Sequence, residues 1–160
     1  MSSTEQPGFR TSRGYQMFDQ NRGQLSPALE DYLEMIFRQC RKDGYTRVGK
    51  ISEVLQVRPS SASKMIAKLA QAGYVKYDRY EIIQMTEAGE KLGRYLLSRH
   101  EVVTAFLELI GSENVLEQVE IMEHPLTPST VKNLELLLGF FQADPQAKRQ
   151  FKAYREGRLK

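Results

Sequence analysis

Residues 48–85 decide the expected fold, and they read VGKISEVLQVRPSSASKMIAKLAQAGYVKYDRYEIIQM. Apolar residues recur at helical spacing over 48–55, and a four-residue turn follows at 56–59. A second stretch with helical periodicity runs from about 60 to 72, where Gly73 ends it. Two short helices joined by a tight turn predict a helix-turn-helix.

A β-hairpin is predicted directly after the second helix. Residues 74–77 and 80–85 are rich in strand-forming residues, and the polar pair Asp78-Arg79 separates them. A hairpin in this position is typical of the wing of a winged helix-turn-helix, although the same pattern also fits an ordinary surface hairpin. Because element order, spacing and charge agree, we interpret 26–86 as a DNA-binding domain.

The second helix supplies the side chains expected to contact DNA. Serine hydroxyls at its N-terminus can reach base edges or phosphates. Lys64 and Lys68, four residues apart, share a face that suits the phosphate backbone, and Arg79 at the hairpin tip suits the minor groove or a phosphate. The alternative is serine caps on a solvated basic face. The predicted set is Arg58, Ser60, Ser61, Ser63, Lys64, Lys68 and Arg79.

Charge is unevenly distributed along the 160 residues, whose formal net charge is +3. Residues 38–80 carry ten basic and three acidic side chains, whereas residues 81–146 carry four basic and eleven acidic ones. A basic block beside an acidic block suggests two tasks on one chain, the first of them contact with phosphates. Charge runs are also common on solvated helix faces, so this pattern alone decides little.

Composition excludes several classes of protein. A single cysteine rules out a disulfide framework and a cysteine-rich zinc module. No apolar run approaches the length of a membrane span. Residues 1–25 are polar and rich in glycine, without the apolar stretch of a secretory signal, so we expect a mobile tail and a cytoplasmic protein.

The remaining chain is predicted to be helical. Ser26-Pro27 begins a helix that Gly44 ends, and Thr86 caps a long helix over about 87–110. Further helices are expected over about 113–124, from Thr127-Pro128 to 141, and from Asp144-Pro145 onwards. The expected fold is therefore mainly α, with a winged helix-turn-helix domain at 26–86 and a leucine-rich, all-helical dimerisation domain at 87–160.

Two acidic clusters and both histidines stand out as candidate metal ligands. Asp31 and Glu34 lie one turn apart on the first helix, and Glu120, Glu123 and His124 share a face of a later helix. Converging carboxylates would repel one another, and a divalent cation removes that repulsion. Each cluster alone is also typical of a solvated or dipole-favouring acidic turn. The predicted ligands are Asp31, Glu34, His100, Glu120, Glu123 and His124.

The donor set indicates which metal to expect. Oxygens and imidazoles without sulfur suit Mn²⁺ better than structural Zn²⁺. Cys40 lies on the opposite side of the first helix from Asp31 and is a poor ligand candidate. Six side chains exceed the needs of one tetrahedral ion, so two ions that share bridging carboxylates are plausible.

The chain resembles the diphtheria-toxin-repressor family and, within it, the manganese transport regulators. The resemblance covers about 26–155 and is carried by LEDYLEMI at 29–36, RPSSASKM at 58–65, SRHE at 98–101 and VEIMEH at 119–124. It implies that the six predicted ligands bind a two-ion manganese cluster. The iron-responsive branch has Met and Cys where Asp31 and Glu120 stand here, which favours manganese. Short members such as this one lack the SH3-like third domain of the iron branch.

The resemblance implies a homodimeric repressor that binds a palindromic operator in double-stranded DNA and, when loaded with metal, represses manganese-uptake genes. Three alternatives stay open from the residues alone. They are an iron-responsive or other metal-responsive member of the family, a winged-helix regulator that senses no metal, and a helical di-metal enzyme. Di-metal enzymes usually carry two Glu-x-x-His pairs, which this sequence lacks, so we predict no enzymatic activity.

Overall fold

The computed structural model describes residues 25–158; residues 1–24 of the predicted tail at 1–25, and the last two residues, lie outside the described part. The first helix, α1 (Pro27–Asp43), begins where the Ser26 side chain accepts a hydrogen bond from the amide of Leu29, with proline at the first helical position. It ends at Gly44, whose φ of 77° is in the left-handed region. Leu25, at the predicted tail boundary, packs against the core instead.

The predicted helix-turn-helix and wing are confirmed, with one addition. The elements are β1 (Thr46–Arg47), α2 (Val48–Val54), α3 (Pro59–Gln71), β2 (Val75–Tyr77) and β3 (Ile82–Met85). The added strand, β1, pairs antiparallel with β3 on the side away from β2, so the sheet order is β1-β3-β2. The hairpin turn is held by Asp78, whose Oδ1 accepts hydrogen bonds from the amides of Tyr80 and Ile82.

The second half of the described chain is helical, as predicted. It contains α4 (Glu87–Ile110), α5 (Val115–Met122), α6 (Pro128–Ala143) and α7 (Pro145–Arg158). Thr86 caps α4 through its hydroxyl, which accepts from the amide of Gly89. Helix α5 is shorter than the predicted 113–124, so Glu123 and His124 lie at and just beyond its C-terminal end.

Two hydrophobic cores position these elements. The larger core joins α1, α2, α3, the sheet and the first half of α4, and its fully buried members include Leu33, Ile36, Ile51, Ile66, Leu69, Ile83 and Leu96. The smaller core brings Val103 and Leu107 of α4 against Val119 of α5. Helix α4 therefore contributes to both cores and links the DNA-binding half to the second half.

Two glycines allow α4 to approach the DNA-binding half closely. A Cβ on Gly89 would lie 1.8 Å from the backbone oxygen of Tyr74, and one on Gly93 would lie 2.7 Å from the Cβ of Phe37 in α1. Only a residue without a side chain fits at these contacts.

Among the helices in residues 25–158, none combines the length and apolar character needed to cross a bilayer.

Candidate metal centre and nucleic-acid interface

All six predicted ligands converge at one place, although spacing along the chain could not show that distant helices meet. The site lies where α1, α4 and the end of α5 come together. Helix α1 supplies Asp31 and Glu34, α4 supplies His100, and the end of α5 supplies Glu120, Glu123 and His124.

The ligand-type atoms form two groups that share one carboxylate. In the first group, atoms of Asp31, Glu123 and His124 lie within 4.8 Å of one another, and in the second the same holds for Glu34, His100 and Glu123. His124 Nε2 is 3.2 Å from Asp31 Oδ1, and His100 Nδ1 is 3.4 Å from Glu123 Oε1. Glu123, which belongs to both groups, is 1% exposed.

Glu120 lies at the mouth of this cluster. Its Oε1 is 3.9 Å from His100 Nδ1, and half of its side chain is exposed. It lines an open cleft together with Asp31, Glu34 and His100. The cluster is therefore closed by Glu123 on its inner side and reachable from solvent past Glu120.

Glu34 has a partner outside the cluster. Its Oε1 accepts two hydrogen bonds from the Arg38 guanidinium, one turn further along α1, with Nε at 2.9 Å. Since both side chains are on one helix, this ion pair forms without help from other elements. A cation held by Glu34 would share this carboxylate with Arg38 or displace the guanidinium from it.

Two charged residues that sequence reasoning missed, Glu30 and Arg99, complete the site. Arg99 is 2% exposed, and its Nη2 donates to Glu30 Oε2 at 2.7 Å. A signal for Arg99 was present in the sequence, because it falls three residues after Leu96 and four before Val103, on the buried stripe of α4. A charged residue on such a stripe must find a buried partner.

The protonation of the cluster reflects its excess of carboxylates. Hydrogen bonds to Asp31 and then Glu30 raise the pKa of His124 to about 9. A hydrogen bond to Glu123 raises the pKa of His100. Burial would raise the pKa of Glu30, but its hydrogen bonds with His124 and Arg99 outweigh burial and lower it. Without a metal ion, protonated imidazoles therefore balance part of the acidic charge.

The pKa of the Glu120 carboxyl is raised, whereas that of Glu30 is lowered. Burial and then the nearby charge of Glu123 raise the pKa of Glu120. A raised carboxyl pKa is the expected result when acidic groups converge without enough positive charge.

A buried carboxylate oxygen supports the fit of the cluster to a divalent cation. Within residues 25–158, Oε2 of Glu123 is fully buried and accepts no hydrogen bond. Arg99 Nε is 3.8 Å away, too far for a hydrogen bond, and is itself buried without an acceptor. Such an oxygen is costly unless a cation reaches it. Cys40 is buried in the larger core, where its Sγ contacts the carbonyl of Ile83, and it belongs to neither ligand group.

The predicted DNA contacts lie at the start and along one side of α3. Arg58, Ser60, Ser61, Lys64 and Lys68 are exposed. Ser63 is half-buried instead, and its Oγ lies 2.9 Å from the hydroxyl of Tyr77 in β2. That hydrogen bond ties α3 to the wing, so Ser63 also has a structural role.

Arg79 is exposed at the tip of the wing, where it lies against an aromatic ring. Its guanidinium carbon is 4.8 Å from the centre of the Tyr80 ring, and Nη2 donates to the hydroxyl at 2.7 Å. Tyr80 is itself among the exposed large hydrophobic residues. The tip therefore presents a cation and an aromatic ring together.

Comparison with known proteins gives two adjacent matches to family models. Residues 24–82 match the model described as "Iron dependent repressor, N-terminal DNA binding domain". Residues 86–152 match the model described as "Iron dependent repressor, metal binding and dimerisation domain". The boundary between the two matches falls at 83–85, in β3, close to the predicted boundary at 86.

Individual relatives extend the comparison. The HTH-type transcriptional regulator MntR of Oceanobacillus iheyensis is 39% identical over 121 residues, which cover 74% of this chain and 82% of the relative. MntR of Bacillus subtilis is 36% identical over 130 residues, covering 80% and 92% respectively. The solved structure of the manganese regulator SloR matches with a TM-score of 0.63 and 25% identity, over 72% of this chain and 55% of that longer protein.

Proposed function

Because the chain belongs to the iron-dependent repressor family, we propose that it is a manganese-responsive transcriptional repressor with the metal as co-repressor. It carries that family's DNA-binding domain and its metal-binding and dimerisation domain. Its relatives are transcriptional regulators, so the di-metal enzyme considered from the sequence is set aside. The proposed targets are genes of manganese uptake, controlled in the cytoplasm.

The shared, buried Glu123 is the observation that carries the metal part of the proposal. One carboxylate that belongs to two ligand groups supports two ions per subunit, which the two groups would hold with Glu123 in common. Arg99 pairs with Glu30 outside the predicted ligand set, and Arg38 pairs with Glu34 within it. The four carboxylates of the set would match the charge of two divalent cations when both histidines are neutral and the Arg38 guanidinium leaves Glu34.

The donor set supports manganese over the alternatives. Carboxylate oxygens and imidazole nitrogens without a thiolate or thioether suit Mn²⁺ better than softer ions. An iron-responsive regulator remains the second candidate, since Fe²⁺ accepts the same ligand types and binds more tightly to a given site. The names of two similar proteins, MntR and the manganese regulator SloR, favour a manganese-responsive repressor.

The chain's own residues link the metal centre to DNA. Asp31 and Glu34 lie on α1, whose opposite face packs Leu33 and Ile36 into the core shared with α3. The other ligands lie on α4 and at the end of α5. Residues of α1, α4 and the end of α5 would hold the ions. Because the ions would neutralise the mutually repelling carboxylates, they would favour one placement of α1 against α5. That placement sets where α3 stands relative to the second half.

Exposed apolar side chains support the homodimer. Leu136, Leu137 and Phe140 on α6 are exposed, as are Leu116 and Ile121 on α5. Large exposed apolar side chains clustered in one domain are typical of a protein interface. A two-fold dimer would present two α3 helices to successive major grooves ~34 Å apart, and such symmetry calls for a palindromic operator.

Metal counting and DNA binding together test the proposal. Native mass spectrometry of the full chain with Mn²⁺ is expected to give two ions per subunit. The manganese-loaded protein is first used to select a duplex from a random pool. The affinity of the protein for that duplex is then measured in the presence of Mn²⁺ and in the presence of EDTA. We expect affinity to differ by roughly 5- to 150-fold, the range of typical allosteric coupling.

A matched pair of variants sharpens this test. Glu123→Ala should remove the dependence of DNA binding on Mn²⁺, whereas Glu117→Ala, at an exposed position on the same helix, should preserve it. Equal Mn²⁺ dependence in both variants would contradict the assigned site. A wild-type protein that binds the duplex equally well in EDTA would contradict the function.

A further inference from the structure

Two residues outside the predicted ligand set form a chain of contacts that ends on a ligand. Arg99 Nη2 donates to Glu30 Oε2 at 2.7 Å, and His124 Nδ1 lies 2.8 Å from the same oxygen. Nη2 and Nδ1 are 3.3 Å apart, a separation that two donors tolerate when they share an anionic acceptor. The other imidazole nitrogen of His124, Nε2, faces Asp31 at 3.2 Å.

We propose that Glu30, held in place by Arg99, is a positioning residue that accepts the Nδ1–H of His124 and thereby presents Nε2 to the metal. This inference rests on the proposed function, because it needs a metal at the cluster. It concerns a residue that itself donates no atom to the ion.

The contacts explain why Glu30 orients a ligand instead of being one. The Oε2 atom of Glu30 already accepts hydrogen bonds from two donors, Arg99 Nη2 and His124 Nδ1. Glu30 therefore lies on the Nδ1 side of the His124 ring. The candidate ion group is formed instead by atoms of Asp31, Glu123 and His124. A ligand histidine generally gives its second N–H to a carboxylate or carbonyl, which fixes the tautomer and makes the ligand nitrogen more basic.

Arg99 is suited to hold Glu30 because its side chain is buried and its guanidinium lies between two carboxylates. It is 2% exposed on α4, donates to Glu30 on α1, and its Nε lies 3.8 Å from Oε2 of Glu123 beyond α5. A planar guanidinium in a packed environment loses little freedom when it bonds a carboxylate. Arg99 therefore lies between the positioning carboxylate on α1 and the Glu123 carboxylate just beyond α5.

The first experiment measures Mn²⁺ affinity by calorimetry on the metal-free full chain. Glu30→Ala is expected to bind Mn²⁺ roughly 10- to 100-fold more weakly than wild type. Glu30→Gln keeps the volume and an oxygen acceptor, so its loss should be intermediate. The control is Glu53→Ala, which removes an exposed carboxylate from α2 that pairs with Lys50, and its affinity should match wild type.

The second experiment reads the His124 ring directly. The full chain carrying ¹⁵N-histidine is loaded with Cd²⁺, a diamagnetic probe, and its imidazole nitrogens are observed by NMR. Wild type should show a protonated Nδ1 and a metal-bound Nε2 at His124. In Glu30→Ala the Nδ1 proton of His124 should exchange rapidly with water, or Nδ1 should bind the metal while Nε2 carries the proton.

The outcomes separate the two proposals. Wild-type protein that binds neither Mn²⁺ nor Cd²⁺ would overturn the proposed function. Wild type that binds, with Glu30→Ala matching its affinity and its His124 spectrum, would overturn the positioning role alone. If Glu30→Ala does not fold, Glu30→Gln decides the matter, and wild-type affinity in that variant would overturn the role.

Discussion

Gly93 on α4 lies directly against Phe37 on α1, and a Cβ added to Gly93 would come within 2.7 Å of the Phe37 Cβ. Phe37 follows Glu34 by three residues, and Gly93 precedes His100 by seven, so each lies on the same side of its helix as the ligand that it accompanies. The close contact therefore helps to set the spacing between the two helices that carry Glu34 and His100.

Replacing Gly93 with Ala should separate these helices. The added methyl group must push α1 away, and overpacking of this kind lowers the free energy of unfolding by ~1–3 kcal/mol, partly offset by the better helix propensity of alanine. Mn²⁺ affinity should fall as well, because Glu34 moves relative to His100. Chemical denaturation and calorimetry measure the two effects.

Gly49→Ala is the matched control, because a Cβ at Gly49 in α2 meets nothing within 4 Å. That variant should be as stable as wild type, or more stable by up to ~1 kcal/mol because alanine favours the helix, and it should keep the Mn²⁺ affinity of wild type. A Gly93→Ala protein as stable and as tight-binding as Gly49→Ala would show that the contact does not set the helix spacing.

Local signals in the sequence predicted most of the elements. Hydroxyl caps and a proline mark the helix starts, and glycines that adopt a left-handed φ mark the helix ends. The structure places α1 between Ser26-Pro27 and Gly44, and α4 between Thr86 and Gly111. Strand β1 was not predicted because two residues carry no periodicity. It exists because β3 offers an open edge to Thr46–Arg47, a long-range pairing.

The site was predictable only in part, for a physical reason. Spacing shows which side chains share a helix face, and so it grouped Asp31 with Glu34 and Glu120 with Glu123. It does not show which faces meet, and here the family resemblance supplied the connection. Glu30 and Arg99 were missed because their role depends on a contact between α1 and α4.

The stability of the metal-free protein should depend on pH through His124. Its pKa is raised to about 9 from an ordinary 6.5, so the folded protein holds a proton there that the unfolded chain loses. The resulting stabilisation is fully present below pH 6.5 and disappears as pH rises through about 9. At ~1.4 kcal/mol per pKa unit, it is on the order of 3 kcal/mol.

Urea denaturation in EDTA between pH 6 and 9.5 measures this effect. His124→Gln, which keeps a polar side chain but does not titrate, should show a flatter dependence over the same range. If wild type and His124→Gln lose stability in parallel, His124 is not the group responsible.

Cys40 should be inert and unconnected to the metal. Burial, and then the charge of Glu90, raise the pKa of its thiol to about 11, so little thiolate exists at pH 8. Alkylation by iodoacetamide should therefore be far slower in the folded protein than in urea, and Mn²⁺ should not change the rate. Cys40→Ala should cost about 1 kcal/mol of stability and leave Mn²⁺ affinity unchanged.

A sulfur ligand would give the opposite pattern. Protection of Cys40 by Mn²⁺, or a loss of Mn²⁺ affinity in Cys40→Ala, would contradict a centre built from oxygen and nitrogen donors alone. Such a result would also weaken the argument for manganese over softer ions.

Lys64 should contribute to DNA binding without contributing to sequence recognition. It is exposed on α3 among the predicted DNA contacts, where an ammonium group suits a phosphate. Lys64→Ala should weaken binding to specific and random duplexes by similar factors. The slope of log affinity against log salt should become shallower by ~0.9, the value for one phosphate contact in B-form DNA.

Lys152→Ala gives the comparison, because Lys152 is an exposed lysine on α7 that pairs with Glu156, away from α3. Its removal changes the net charge by the same amount, so any general effect of charge on DNA binding appears in both variants. A salt slope in Lys64→Ala equal to that of Lys152→Ala would remove Lys64 from the interface. A loss confined to the specific duplex would instead assign Lys64 to base recognition, since phosphate contacts do not distinguish sequences.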